Sequence, residues 1–266
     1  ALILLFVAQK GLATFFVNKV SLIEFLFSGD WSPSEGKFGA LPMILGSFVV
    51  TLLSALVATP FAIGAAIFMT EISPRLGKRF VQPAVEIFVG IPSVVYGWIG
   101  LTILVPFIKN LFDLRFGFSV LAAGIVLAIM IFPTITSLTA DALRSIPKSF
   151  RAAAYGLGAT RWQSISTVVV PAAKNGIMTA VTLGLARAFG EALAVAMVIG
   201  KTRAFPSSIL EPTNNLTAAI AADMGGAMEG SEYNIALWTM ALLLFLISLG
   251  FIFLIHHINA KGEKAA

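Results

Sequence analysis

DALRSIPKSFRAAAYGLGATRWQSISTVVVPAAK, residues 141–174, is the longest interior interruption in a chain that is otherwise mostly apolar. It opens on Asp141 and then carries Arg144, Lys148, Arg151, Arg161 and Lys174. Apolar runs flank it on both sides, each long enough to cross a bilayer, which takes about 20 residues. Pro147 suits the first turn of a helix, where its missing N–H costs nothing. SFRAAAYGL is helix-forming, and Gly158 suits the left-handed position that follows a helix end. Thr160 and Gln163 match the T-x-x-Q capping box that opens a second helix. Pro171 marks the start of the next apolar segment. The spacing predicts two short helices about a glycine, lying along a membrane surface. On these residues alone two readings stay open, a solvated connector and a surface gripped by a soluble partner.

The composition sets the solvent. Of 266 residues, 58% are hydrophobic and only 12% charged, against about 25% charged in a soluble domain. The apolar residues come in long blocks rather than short alternating ones, which predicts an all-α integral membrane protein and not a β-barrel. There is no cysteine, so disulfides, thiolate catalysis and cysteine-ligated metals are excluded. His256 and His257 read as a membrane-interface feature rather than a metal site. A net charge of +5 fits basic cytoplasmic loops and implies no nucleic-acid partner.

Six transmembrane segments are expected. Residues 1–8 are apolar but too short to span, so the numbering is read as beginning inside a first helix whose start lies upstream. Residues 1–41 hold that helix and an extracytoplasmic loop broken at Asp30, Trp31, Pro33 and Gly36. Residues 42–258 form the transmembrane core, with spans near 42–69 (kinked at Pro60), 83–107, 118–140, 172–199 and 234–256. Residues 259–266 are a cytoplasmic tail. Placing 70–82, 141–174 and the tail on one side puts ten Lys and Arg there against seven on the other. The positive-inside rule then makes the first side cytoplasmic.

RAAAYGLGATRWQSISTVVVP resembles the coupling loop, the EAA loop, of ATP-binding-cassette (ABC) importer permeases. That pattern runs E-A-A, three residues, Gly, nine residues, I-x-L-P. Ala153 and Ala154 hold the alanine positions, Gly158 the glycine and Pro171 the proline. Ala152 stands where the family has glutamate, and Val168 and Val170 where it has isoleucine and leucine. GIPSVVYGWIGL (90–101), LARAFGEALAVAMVIG (185–200) and the early LIEFLFSGDWSP are similar to the phosphate importers, specifically their PstC-type subunit, over about residues 20–258.

The resemblance implies the type I ABC importer permease fold and an inner-membrane location. It assigns 141–171 to docking on a cytoplasmic ABC ATPase dimer, through Arg151, Ala152, Ala153, Ala154, Gly158, Ala159, Thr160 and Pro171. It also implies a second, PstA-type permease subunit and an extracytoplasmic phosphate-binding protein that meets the loop 200–233. This chain has no G-x-x-x-x-G-K-[ST] phosphate loop. ATP and Mg would therefore be held by the partner ATPase, leaving this chain with no cofactor and no catalytic residues of its own.

Arg187 and Glu191 fall inside an apolar span, four residues apart and so on one face of a continuous helix. They read either as a mutually neutralising pair or as a polar site on a transport path. A guanidinium matches the oxygens of inorganic phosphate. A carboxylate can accept a hydrogen bond from protonated phosphate, which sulfate cannot offer. Glu86 is expected to pair with a basic residue of an adjacent loop. Ser93, Tyr96, Thr134, Thr136, Ser137 and Thr139 could line a path, and most are expected to be satisfied by their own helix or a neighbouring one. Two alternatives remain, a permease for another oxyanion such as molybdate or sulfate, and an ion-coupled carrier without an ATPase. An intramembrane enzyme is disfavoured, since neither H-E-x-x-H nor G-x-S-x-G occurs.

Overall fold

The computed structural model describes residues 2–32 and 35–263. The expectations for Pro33, for residues 264–266 of the tail and for the side chain of His256 lie outside the described residues. The chain opens with α1 (Leu2–Phe16) and α2 (Leu22–Phe27). A two-stranded hairpin follows, β1 (Trp31–Ser32) with β2 (Lys37–Phe38), in which Trp31 opposes Phe38. The segment expected as a plain loop therefore carries structure of its own. α3 (Leu41–Ile67) runs through Pro60 and continues as a wide π-helical turn, Phe68–Ile72. Next come α4 (Pro74–Leu76), a second wide turn (Gly77–Val81) and α5 (Gln82–Gly90).

α6 (Ser93–Ile99), a wide turn (Gly100–Leu104) and α7 (Val105–Leu111) form one span. α8 (Val120–Ser145) is the next, and it runs through Pro133. The interrupting stretch folds as α9 (Lys148–Gly156), α10 (Arg161–Gln163), a wide turn (Ser164–Val169) and α11 (Val170–Ala172). α12 (Lys174–Gly190), α13 (Leu193–Val198), α14 (Leu216–Asp223) and α15 (Glu232–Glu263) complete the chain. Helix α15 extends through most of the expected tail.

Among the described residues, four helices are long and apolar enough to cross a membrane. They are Leu41–Ile72, Ser93–Leu111, Val120–Ser145 and Glu232–Leu254. A fifth span arises if Arg161–Ala172 and Lys174–Gly190, bent by 68°, are taken together. At 15 residues, α1 is about 22 Å long, short of a ~30 Å hydrocarbon core. The expected third span is broken, because Ile91 precedes Pro92 and is held extended, with ψ 127°. Clash with a proline ring disfavours the helical region for the preceding residue. The expected fifth span also breaks. Its helix stops at Gly190, and Glu191 and Ala192 lie outside helix before α13 begins.

The backbone forms two compact units, each drawn from several parts of the chain. The first combines residues 1–54, 92–127 and 189–250. In it Thr14 and Thr239, both buried, share a hydroxyl–hydroxyl bond of 2.5 Å. Asn215 caps α14 by accepting from Ala218 N–H at 2.8 Å, and Ser47 Oγ accepts from Leu216 N–H at 3.0 Å. Gly97 lets α6 lie against α13. A Cβ there would sit 2.7 Å from Met197 Sδ and 2.9 Å from Ala194 Cα.

The second unit combines residues 55–91, 128–188 and 251–266. Its core joins Ala66 and Met69 at the end of the first core span to Ala140 and Leu143 of α8. Val169, Ala173 and Ile177 close that core from the far side of the interrupting stretch. The stretch is thus packed down rather than draped loosely.

The contact at Gly97 yields a stability prediction. Overpacking costs about 1–3 kcal/mol, so Gly97→Val should lower the thermal unfolding midpoint of the detergent-purified chain by several degrees. Gly64→Val, where nothing lies within 4 Å of the added Cβ, should leave the midpoint nearly unchanged.

Candidate functional site

The loop is shaped by local chemistry that follows its sequence closely. Pro147 is the residue before α9, with ψ 142°, rather than the first within it. Helix α9 ends in a Schellman arrangement. Ala159 N–H donates to Ala154 O at 3.1 Å, and Gly158 N–H to Tyr155 O at 3.0 Å. Gly158 takes the left-handed conformation this requires, with φ 81°. The capping box is present in both directions, as Gln163 N–H donates to Thr160 Oγ1 at 3.3 Å and Thr160 N–H to Gln163 Oε1 at 2.8 Å. The second helix continues as α10, the wide turn and α11, so the chain bends at Ala173 and not at the exposed Pro171.

The predicted loop residues divide by exposure. Ala152, Ala153 and Gly158 are exposed, Ala159 is half-buried and Ala154 is buried. Leu157 is 90% exposed, and Phe150, Tyr155 and Trp162 also present large apolar surface. Helix α9 runs between two grooves. One, of about 440 Å³, is walled by Phe150, Ala153, Leu157 and Val168. The other, of about 500 Å³, is walled by Glu71, Arg144, Lys148, Arg151, Ala152 and Tyr155.

Arg151 turns inward. Its Nε donates to Glu71 Oε2 at 3.0 Å and its Nη2 to Glu71 Oε1, forming a two-pronged pair. The remaining donors reach Ile146 O at 2.8 Å and Leu143 O at 3.0 Å. The pair is largely out of water, with the Arg151 side chain 20% and the Glu71 side chain 10% exposed. Hydrogen bonding to Glu71 raises Arg151 above the ordinary arginine pKa, against the opposing effect of burial. Because the folded-state pKa is raised, the pair's contribution to stability is fully present below the unfolded arginine value and is lost only as pH rises through the folded one. On the other side of Gly158, Arg161 Nη2 donates to the backbone carbonyls of Glu71 and Ile72.

Glu71 is the residue that the sequence reading overlooked. Its one signal was being the sole acidic residue in the otherwise basic segment 70–82. Glu86, expected to pair with a base from another loop, instead accepts from Gln82 of its own helix at 3.0 Å.

Arg187 and Glu191 do not share a continuous helix. The four-residue rule places side chains on one face only where the helix is unbroken, and α12 stops at Gly190. Each has a partner of its own. Arg187 is exposed at the chain surface, where its Nη1 donates to Thr134 Oγ1 of α8 at 2.7 Å. Glu191 Oε1 accepts from Ala194 N–H in the first turn of α13 at 3.2 Å, and its carbonyl accepts from Thr217 Oγ1 at 2.8 Å. Thr136, by contrast, bonds back to Phe132 O as expected of a helix hydroxyl, at 2.8 Å. Among the described residues no cluster of His, Asp or Glu could hold a metal ion.

Residues 58–263 match the family of binding-protein-dependent transport system inner membrane components. The chain belongs to that family. The probable ABC transporter permease protein YqgH of Bacillus subtilis (strain 168) is 55% identical over 263 residues, spanning 98% of this chain and 85% of the relative. The phosphate transport system permease protein PstC of Xylella fastidiosa (strain 9a5c) is 37% identical over 245 residues, spanning 85% of this chain and 75% of the relative. PstC of Mesorhizobium japonicum is likewise 37% identical, over 244 residues.

Among solved structures, an inward-facing form of the MetNI methionine ABC transporter matches with a TM-score of 0.60 at 20% identity. The match spans 81% of this chain and 94% of that one. The permease thus has the type I importer fold, and its similarity to the PstC-type subunits extends over most of its length.

The capping box makes the loop testable on its own. Removing an N-cap side chain costs about 1 kcal/mol, roughly a five-fold rise in local opening. Thr160→Ala should therefore speed amide exchange several-fold over residues 161–164, read by hydrogen exchange, and leave α8 unaffected.

Proposed function

We propose that the permease is a transmembrane subunit of an ATP-driven importer that moves inorganic phosphate into the cytoplasm by alternating access. The observation that carries the proposal is Arg187. A guanidinium within an apolar span is expensive against lipid. Here it lies at the chain surface, held by a neutral hydroxyl, with no carboxylate partner among the described residues. Such a cation is suited to a polar path shared with a second permease subunit, where it attracts an oxyanion and fits its oxygens with a planar fork of donors. Glu191 is assigned the complementary role of accepting a hydrogen bond from a protonated phosphate oxygen, which favours phosphate over sulfate.

The remaining assignments follow the same reading. The surface of α9 around Ala152, Ala153 and Leu157 docks on the cytoplasmic ATPase dimer, which binds ATP and Mg. Residues 141–171 and the C-terminus then face the cytoplasm, in keeping with the excess of Lys and Arg there. The segment 200–233 faces outward, toward a phosphate-binding protein, with a PstA-type subunit completing the pair. The names of the PstC relatives support phosphate over molybdate or sulfate.

The test is ATP-dependent uptake into vesicles holding the assembled complex, with labelled phosphate and labelled sulfate run in parallel. Phosphate should accumulate and sulfate should not. A charge-assisted hydrogen bond is worth about 1.5–3 kcal/mol, so Arg187→Gln should cut phosphate uptake roughly ten-fold or more at unchanged assembly. Normal uptake by that variant would refute the assignment of Arg187.

A further inference from the structure

We infer that Glu71 is a positioning residue that locks the loop to the end of the first core span, so that a displacement of the loop moves that span. The inference rests on the reading of 141–171 as the ATPase contact and adds the route by which its motion leaves the loop.

The geometry is specific. Glu71 lies in the wide turn Phe68–Ile72 that ends the 32-residue span Leu41–Ile72. Its carboxylate takes both prongs of Arg151, which sits within α9. Its own backbone carbonyl and that of Ile72 take Arg161, which opens α10. The two halves of the loop, on either side of Gly158, are therefore fixed to one turn of one span. Arg151 also reaches Leu143 O and Ile146 O, tying the same point to the end of α8. Beneath these bonds Met69, Leu143 and Val169 belong to one buried apolar cluster.

A connector that needed only to join two spans would have no use for a two-pronged ion pair withdrawn from water. A part that must receive force would, because a paired guanidinium and carboxylate resist both rotation and separation. Single wide turns of this kind recur at functional positions. Glu71→Gln keeps the size of the side chain but replaces one acceptor oxygen with an NH₂ group that faces the guanidinium.

Two measurements test the inference. The chain has no cysteine, so Ser149→Cys on α9 and Arg75→Cys on α4 can carry a pair of spin labels. In the assembled complex the label distance should be the same, and equally narrow, without nucleotide and with ATP trapped. A shift between those states would overturn the inference, and so would an unchanged distribution after Glu71→Gln, which should broaden it. In vesicles, Glu71→Gln should lower phosphate moved per ATP hydrolysed about ten-fold, and Glu71→Asp should restore most of the ratio. A merely structural role would lower uptake and hydrolysis in parallel with the amount of complex, leaving the ratio at the unsubstituted value, and that result overturns the inference. If the functional reading itself is wrong, the unsubstituted complex will lack the ATPase or take up no phosphate. The Glu71→Gln arm, measured on the permease alone, still tests the lock in that case, because an unchanged distance distribution overturns it.

Discussion

The guanidinium of Arg151 satisfies two carboxylate oxygens and two backbone carbonyls at once, and the shape of the loop depends on it. A helix C-terminus leaves carbonyls without intrahelical partners. The end of α8 meets that need through Leu143 O, and Ile146 O just beyond it is served by the same side chain. Arg161 does the same for the end of the first core span. Two cations thus close two helix ends, in the sense favoured by the helix dipole. Helices as short as α9 and α10 are marginal in water on their own, so these bonds add to the caps and the apolar cluster that hold them.

The spans follow the complementary constraint. Backbone polar groups inside a bilayer need partners within the protein, so a helix can break only where protein or a cavity covers the gap. At Glu191 and Ala192 the break is served by Thr217 Oγ1, which donates to the Glu191 carbonyl, and by the Glu191 carboxylate, which takes an N–H of α13. At Ile91 the following proline enforces extended backbone. Glycines carry the close packing beside these breaks, as at Gly97 against α13 and as expected where helices associate without a hydrophobic drive.

How much of this was legible in the sequence depends on range. The Thr160–Gln163 box and the left-handed Gly158 involve groups a few residues apart, and the residue types alone announce them. Hydropathy located most of the spans for a similar reason, since it sums local terms. The Arg151–Glu71 pair joins residues 80 positions apart, and nothing in either neighbourhood encodes which helix ends meet. The break after Gly190 was hidden because an apolar run reads as continuous helix, and no proline marks it. Thr134 was one hydroxyl among several on α8, and only the packing of α8 beside α12 selects it as the partner of Arg187.

The exposure of Arg187 bears on how such a chain is made as well as on how it works. A lone copy inserted in lipid would hold a cation against acyl chains, at a cost of about 2.5–3.5 kcal/mol on insertion scales. A neighbour that covers this face would remove the cost, and anything that binds the folded form alone stabilises it by mass action. If the proposed second subunit is that neighbour, the lifetime of the newly made chain in the bilayer would be linked to its supply. On the proposed reading of a paired permease, one uncovered guanidinium would make synthesis in matched amounts, with removal of whichever copy is left over, the economical arrangement for the cell.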